Sequence, residues 1–179
     1  MILGIKDLQK LVKENKLVEN LSERELTNPE GAGYDLRLGE VYELKGEGFL
    51  GIEERNTPQT ISIAKFNPSK EESFVFEASK YYLVKTIEKV NLPADITGII
   101  FSRTTLFRSG LALFNGVVQP GYCGELTFGI CNLGKSNIKV SLGARVVHIT
   151  FHEVSGAGNA YRGQWQGGRV STTGKEKQV

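Results

Sequence analysis

The stretch Ser102-Arg103-Thr104-Thr105-Leu106-Phe107-Arg108-Ser109-Gly110 gathers residue types that bind anions. Ser102 and the threonines can cap a short helix, and Gly110 is placed to end it in a left-handed conformation. The first N–H groups of such a helix, its dipole, two hydroxyls and the Arg103 guanidinium would converge on one point, which suits a phosphate. Arg108 lies four residues after Thr104, so both fall on one face and reach the same ligand. The same spacing equally describes a capped surface helix with ordinary arginines. Metal chemistry finds less support. His148 and His152 stand in the β-branched, aromatic run Arg145 to Val154, where a strand would hold the two rings about 13 Å apart, too far to share one ion. We therefore expect no metal held by protein side chains. Cys123 and Cys131 share one strand-like run and would lie about 26 Å apart on it, too far for a disulfide, so both are expected as buried thiols.

These groups need a scaffold, and 179 residues with 40% hydrophobic and 23% charged side chains suffice for one domain with its own core. No apolar run approaches the roughly 20 residues of a membrane span, and the opening MILGIKDLQKLVKENK turns charged too early for a secretory signal. A cytoplasmic protein without a membrane partner is expected. The net charge of +2 offers no electrostatic reason to bind nucleic acid. Over residues 160 to 179, however, Arg162, Arg169, Lys175 and Lys177 face Glu176 alone. That cationic tail suits an anionic ligand, and it equally suits a solvated terminus.

Ile5, Leu8, Leu11 and Val12 recur at helical spacing among lysines and predict an amphipathic helix over 5–15. Ser22 and Glu25 form a possible capping box for one further turn before Pro29. Thereafter short apolar or alternating runs predict strands over 34–38, 74–76, 81–87, 96–101, 125–131, 138–142 and 145–151. Twenty-one glycines and one convincing helix predict a mainly β protein, an antiparallel sandwich or barrel. Residues 1–155 read as the β domain with its N-terminal helix, and the Gly-, Gln-, Ser- and Thr-rich residues 156–179 as a flexible C-terminal arm.

Five segments taken in order resemble the dCTP deaminase and dUTPase superfamily: Ala32 to Gly39 (AGYDLRLG), Ser102 to Leu111, Gly116 to Glu125 (GVVQPGYCGE), Gly143 to Phe151 (GARVVHITF) and Tyr161 to Gly168 (YRGQWQGG). The N-terminal helix and the tail motif resemble the deaminase branch; Gly33-Tyr34-Asp35-Leu36 is also close to the first dUTPase motif. The resemblance implies a distorted β-jelly roll of the dUTPase-like β-clip type. It also implies a homotrimer with sites at the subunit interfaces, a deoxynucleoside triphosphate (dCTP or dUTP) as ligand, Mg²⁺ bound through its phosphates, and an arm that closes over the nucleotide. Arg103, Thr104 and Thr105 stand where the family's Arg-Ser-Ser binds phosphates, and Arg108 where an arginine assists deamination. Tyr122 belongs to the hairpin that receives sugar and base, and Thr127, Phe128 and Gly129 to a strand offering backbone groups to the base. His148 replaces a ligand-touching glutamine, and Tyr161, Gln164 and Gln166 lie in the arm. On the residues alone, Tyr122 and Phe128 could equally be core aromatics, His148 a satisfied strand histidine and Tyr161 an exposed tail residue.

Two positions depart from the pattern. Gln119 aligns with the aspartate that activates water in dUTPases, and Gly129 with the glutamate that shuttles protons in dCTP deaminases. A carboxamide orients a water but cannot take its proton, and glycine has no side chain. The nominal reactions are deamination of dCTP to dUTP, or hydrolysis of dUTP to dUMP and pyrophosphate, with Arg108, Thr104 and Gln119 as the remaining catalytic candidates. The alternative is a catalytically silent member that binds a nucleotide for regulation.

Overall fold

The computed structural model describes residues 1–156 and 158–178; Ala157 and Val179, both within the expected arm, lie outside the described residues. Helix α1 (Ile5–Asn15) buries Leu8 and packs Ile5, Leu11 and Val12 against the core, as its spacing requires. Lys16 ends it in the left-handed region at φ 54°. In α2 (Glu23–Thr27) Ser22 Oγ accepts the Glu25 N–H at 3.4 Å, which is half of a capping box. The reciprocal half is missing because the Glu25 carboxylate turns inward, to a partner described below.

The strands are β1 (Val18–Glu19), β2 (Tyr34–Lys45), β3 (Phe49–Leu50), β4 (Glu54–Asn56), β5 (Gln59–Lys65), β6 (Ser73–Phe76), β7 (Tyr81–Asn91), β8 (Ile96–Ser102), β9 (Leu111–Phe114), β10 (Cys123–Asn132), β11 (Ile138–Ser141), β12 (Arg145–Glu153) and β13 (Glu176–Lys177). The largest sheet runs β8-β12-β2-β7-β10-β9, with β1 added to β7 and β5 to β2. β6 pairs β11, and β3, β4 and β13 form a third small sheet that ties the C-terminus to the loop region before β5. All seven expected strands are present, and the architecture is mainly β with a short N-terminal helix. Strands β5 and β9 were not expected. β5 carries Ile61 and Ile63 half-exposed, so its apolar residues mark no buried face.

Strand β2 joins the two halves of the molecule. Tyr34 to Arg37 pair with β12, whereas Leu38 to Tyr42 pair with β7, and irregularities after Leu38 and after Val41 bend the strand between these partners. Inward residues of both halves form one core, in which Phe74, Phe76 and Tyr82 meet edge to face at 5.0, 5.0 and 5.5 Å. One half of β2 thus faces a cluster of charges and the other supports an apolar cleft.

Candidate functional site

The cleft is built on β7 and β10. On β10, Thr127, Gly129 and Cys131 share a face, and Gly129 and Cys131 stand opposite Leu83 and Tyr81 of β7. Gly129 leaves a gap on that face, and Tyr81 fills it: a Cβ added at 129 would stand 2.6 Å from the ring atoms Cε2 and Cζ. A cross-strand aromatic lying over a glycine restores the packing that the glycine lacks. The wall opposite comes from the segment before β10. Val118 pairs with Gly98 of β8 through two backbone bonds of 2.9 Å, and the Tyr122 hydroxyl donates to the Glu125 carbonyl at 2.7 Å. Burial pushes the Tyr122 phenol up to about 12, so it stays neutral.

The C-terminal segment closes the third side. The Tyr161 N–H donates to the Pro120 carbonyl at 2.7 Å and its ring meets Tyr122 at 5.5 Å. Gln166 makes two bonds to the hairpin, accepting the Cys123 N–H and donating to the Gly121 carbonyl, both at 3.0 Å. Gly124 must be glycine for this contact, since its φ is +147° and a Cβ there would sit 2.7 Å from the Gly167 carbonyl carbon. The Arg55 and Arg169 guanidiniums approach the Trp165 ring to 5.1 and 6.0 Å, and Arg55 also bonds Gln164. The enclosed space is about 430 Å³, within the range of small-molecule sites. Tyr81, Leu83, Gln119, Tyr122, Thr127, Tyr161 and Trp165 are among its lining residues, and among the described residues no aspartate, glutamate or histidine lines it.

The second feature is a compact charge cluster centred on Asp35 of β2. One carboxylate oxygen contacts the His148 Nδ1 at 2.9 Å; the other is 3.1 Å from the Arg103 Nε and 3.0 Å from an Arg145 nitrogen. The buried Glu25 stands behind it, accepting the Asp35 N–H at 3.1 Å and pairing with Arg24 at 2.5 Å. Gly33 makes room for the histidine: its φ is +149°, and a Cβ there would lie 2.6 Å from the His148 Nε2. Burial opposes ionisation of Asp35, but the His148 hydrogen bond and the charges of Arg103, His148 and Arg145 outweigh it and hold the carboxyl below its ordinary 3.8. A carboxyl depressed on folding stabilises the folded state above its unfolded pKa, and that contribution disappears as pH falls through the folded value. The stability gap between wild type and Asp35→Asn is therefore expected to be present at neutral pH and to shrink as pH falls below 3.8. Urea midpoints of both proteins across this range measure it, and a gap equally wide at pH 7 and pH 2.5 would contradict the assignment.

The candidate residues thus divide between two places. Gln119, Tyr122, Thr127 and Tyr161 line the cleft, Gly129 lies on the same β10 face beneath Tyr81, and Gln164 and Gln166 hold the closing segment. The Phe128 ring points into the core, so only its backbone can face a ligand. Arg103, Thr104, Thr105, Arg108 and His148 do not line the cleft. The helix at this point, α3 (Thr104–Arg108), is five residues long; Arg103 is its N-cap and no side chain caps it, because Ser102 completes β8 instead. Thr104, Thr105 and Arg108 are exposed. Arg24, Arg145, Tyr81 and Trp165 are not singled out by the sequence, and Glu25 is marked there only as a capping residue. Arg145 and Trp165 sit inside quoted motifs, so a signal existed for them; none marked Tyr81. Cys123 and Cys131 are free thiols, half-buried rather than buried.

No helix among the described residues is long and apolar enough to cross a membrane. The dCTP deaminase-like family matches residues 2–154 of the chain. The dCTP deaminase of Pyrococcus furiosus is 31% identical over 169 residues, which cover 94% of this chain and 96% of that one. The deoxyuridine 5'-triphosphate nucleotidohydrolase of Methanocaldococcus jannaschii is 29% identical over 153 residues, covering 83% and 92%. Among solved structures, the 2'-deoxycytidine 5'-triphosphate deaminase of Agrobacterium tumefaciens shares the fold with a TM-score of 0.63 at 19% identity, over 84% of this chain and about half (47%) of that one. With the family model matching residues 2–154 and near full-length similarity to a relative 31% identical, this chain belongs to the dCTP deaminase-like family.

Proposed function

We propose that this protein binds a deoxynucleoside triphosphate, dCTP or dUTP, carried with Mg²⁺ on its phosphates, at sites shared between the subunits of a homotrimer. The observation that carries this reading is the apolar cleft of about 430 Å³ closed by Tyr161 and Trp165, a size and lining suited to a base and sugar. The arginines suit the phosphates. Arg103 and Arg145 converge on Asp35, and exposed Arg108 is the last residue of the short helix that Arg103 caps. A single chain keeps these arginines out of its own cleft, and a neighbouring subunit can supply them. Exposed Phe101 and Phe107 flank the arginine side while exposed Phe114 and Val117 flank the cleft side, so apolar surface is available at both edges of such a contact. Residues 1–155 would form the trimer body and residues 156–179 the arm that covers the ligand.

The nominal reactions are dCTP deamination or dUTP hydrolysis, and each needs a group to take a proton from water. The lining of the cleft, free of carboxylates among the described residues, favours a second reading, a nucleotide binder that turns over neither substrate by itself. Arg103→Ala separates phosphate binding from fold. Removing one charge-assisted contact is expected to weaken dCTP and dUTP about tenfold or more, measured calorimetrically with Mg²⁺, at unchanged circular dichroism. Unchanged affinity for both nucleotides would remove the phosphate assignment.

A further inference from the structure

We propose that Tyr81 is the specificity-determining residue of the cleft, its hydroxyl acting with that of Thr127 to read the polar edge of a pyrimidine base; this rests on the nucleotide-binding reading above. The first observation is steric. Tyr81 holds the space over Gly129 that any side chain at 129 would need, so the group this β10 face presents to a ligand there is supplied by β7. The second is a hydrogen-bond account. The Thr127 hydroxyl is buried and has no partner among the described residues, although Thr127 lines the cleft. A buried hydroxyl left unpaired is unfavourable, and a ligand atom that pairs with it recovers the loss. Third, Thr127 and Gly129 are alternate residues of one strand, so they share a face about 7 Å apart along it. The Tyr81 hydroxyl, which lies over Gly129, and the Thr127 hydroxyl therefore belong to the same β10 face of the cleft, which Leu83, Val118, Leu126 and Gln119 also line.

Two hydroxyls on one face of a largely apolar cleft match the alternating donors and acceptors along a pyrimidine edge. Burial raises the Tyr81 phenol above its ordinary value, so it presents an O–H donor at neutral pH and takes no proton. Its role is recognition, and the chemical step needs another group. An apolar slot alone discriminates weakly between cytosine and uracil, which differ only in polar edge atoms; paired hydroxyls discriminate because the wrong edge leaves one of them unsatisfied.

The test measures dissociation constants of the full chain for dCTP, dUTP and inorganic triphosphate with Mg²⁺, in wild type, Tyr81→Phe and Thr127→Val. The expected result is that each variant changes the dCTP to dUTP affinity ratio about fivefold or more while triphosphate affinity stays constant. Nucleotide binding with the ratio unchanged in both variants overturns the role of Tyr81 and leaves nucleotide binding intact. Absence of dCTP and dUTP binding by the wild type overturns the parent reading and this one with it. Equal weakening of all three ligands means a structural role and also overturns the proposal; Tyr81→Phe keeps the ring over Gly129 and so separates the hydroxyl from the packing.

Discussion

The double variant Tyr81→Ala/Gly129→Glu is expected to deaminate dCTP about 10²–10⁴ times faster than wild type, whereas Gly129→Glu alone is expected to show no gain. Deamination adds water to C4 of cytosine and releases the amino group as ammonia. A positioned carboxylate takes the water proton and returns one to the leaving nitrogen, and that assistance is the factor quoted. Among the described residues no such group lines the wild-type cleft: Gln119 is a carboxamide, and Glu125 packs its side chain against Gly168 outside the cleft. Restoring glutamate at 129 meets Tyr81, whose ring already occupies the place of the new Cβ. The single variant must displace an aromatic ring from a two-strand contact, so its carboxylate cannot settle where the proton is needed. Tyr81→Ala vacates that space. A chromatographic time course of dCTP, dUTP and dUMP compares wild type, the two single variants and the double variant. Rapid turnover by the wild type would mean that a carboxylate from a neighbouring subunit already acts. Equal rates for the single and double variants would mean that Tyr81 does not govern position 129.

The contrast between these positions shows what is legible in a chain of this kind. Helix α1 and the seven principal strands follow from local periodicity and turn residues, which are properties of neighbouring residues, whereas the five motifs are legible only through the family resemblance. The gap at Gly129 is equally visible as a missing side chain. Its filling is not, because Tyr81 reaches it only through the β7–β10 register that sets Tyr81 opposite Cys131. The Asp35 cluster is hidden for the same reason: Arg103, Arg145 and His148 follow Asp35 far along the chain and meet it only when β12 pairs with β2 and also with β8. Ser22 and Glu25 read locally as a capping box, and half of it forms. The other half yields to a tertiary partner, since the Asp35 N–H would otherwise be buried without an acceptor. The division of the candidates between cleft and arginine cluster likewise depends on the path of β2, which no local pattern records.

Glu88→Ala is expected to remove about 3–5 kcal/mol of stability. Alternation along β7 places Tyr82, Val84, Thr86, Glu88 and Val90 on the inward side, so a carboxylate stands where apolar residues belong. It is fully buried, and it survives there through Arg37: one oxygen accepts the Arg37 backbone N–H at 2.8 Å and the other the guanidinium Nε at 2.6 Å. Burial pushes the Glu88 carboxyl up, and the bonds and charge of Arg37 pull it back without cancelling the rise. The pair therefore contributes little by charge alone, and its removal in halves is what costs stability. Alanine at 88 leaves a cavity, an unpaired backbone N–H and a guanidinium whose remaining bond is to the Asn20 carbonyl. The variant Arg37→Met/Glu88→Leu removes both charges and refills the volume, so it is expected to recover most of the loss. Recovery should stay incomplete because the N–H of residue 37 still lacks an acceptor. Urea unfolding of the three proteins tests the ordering. A Glu88→Ala protein within about 1 kcal/mol of wild type would show that water reaches Arg37 and replaces the carboxylate. A double variant no more stable than Glu88→Ala would show that the ion pair holds β2 against β7 by its geometry, at the bend that separates the charge cluster from the cleft.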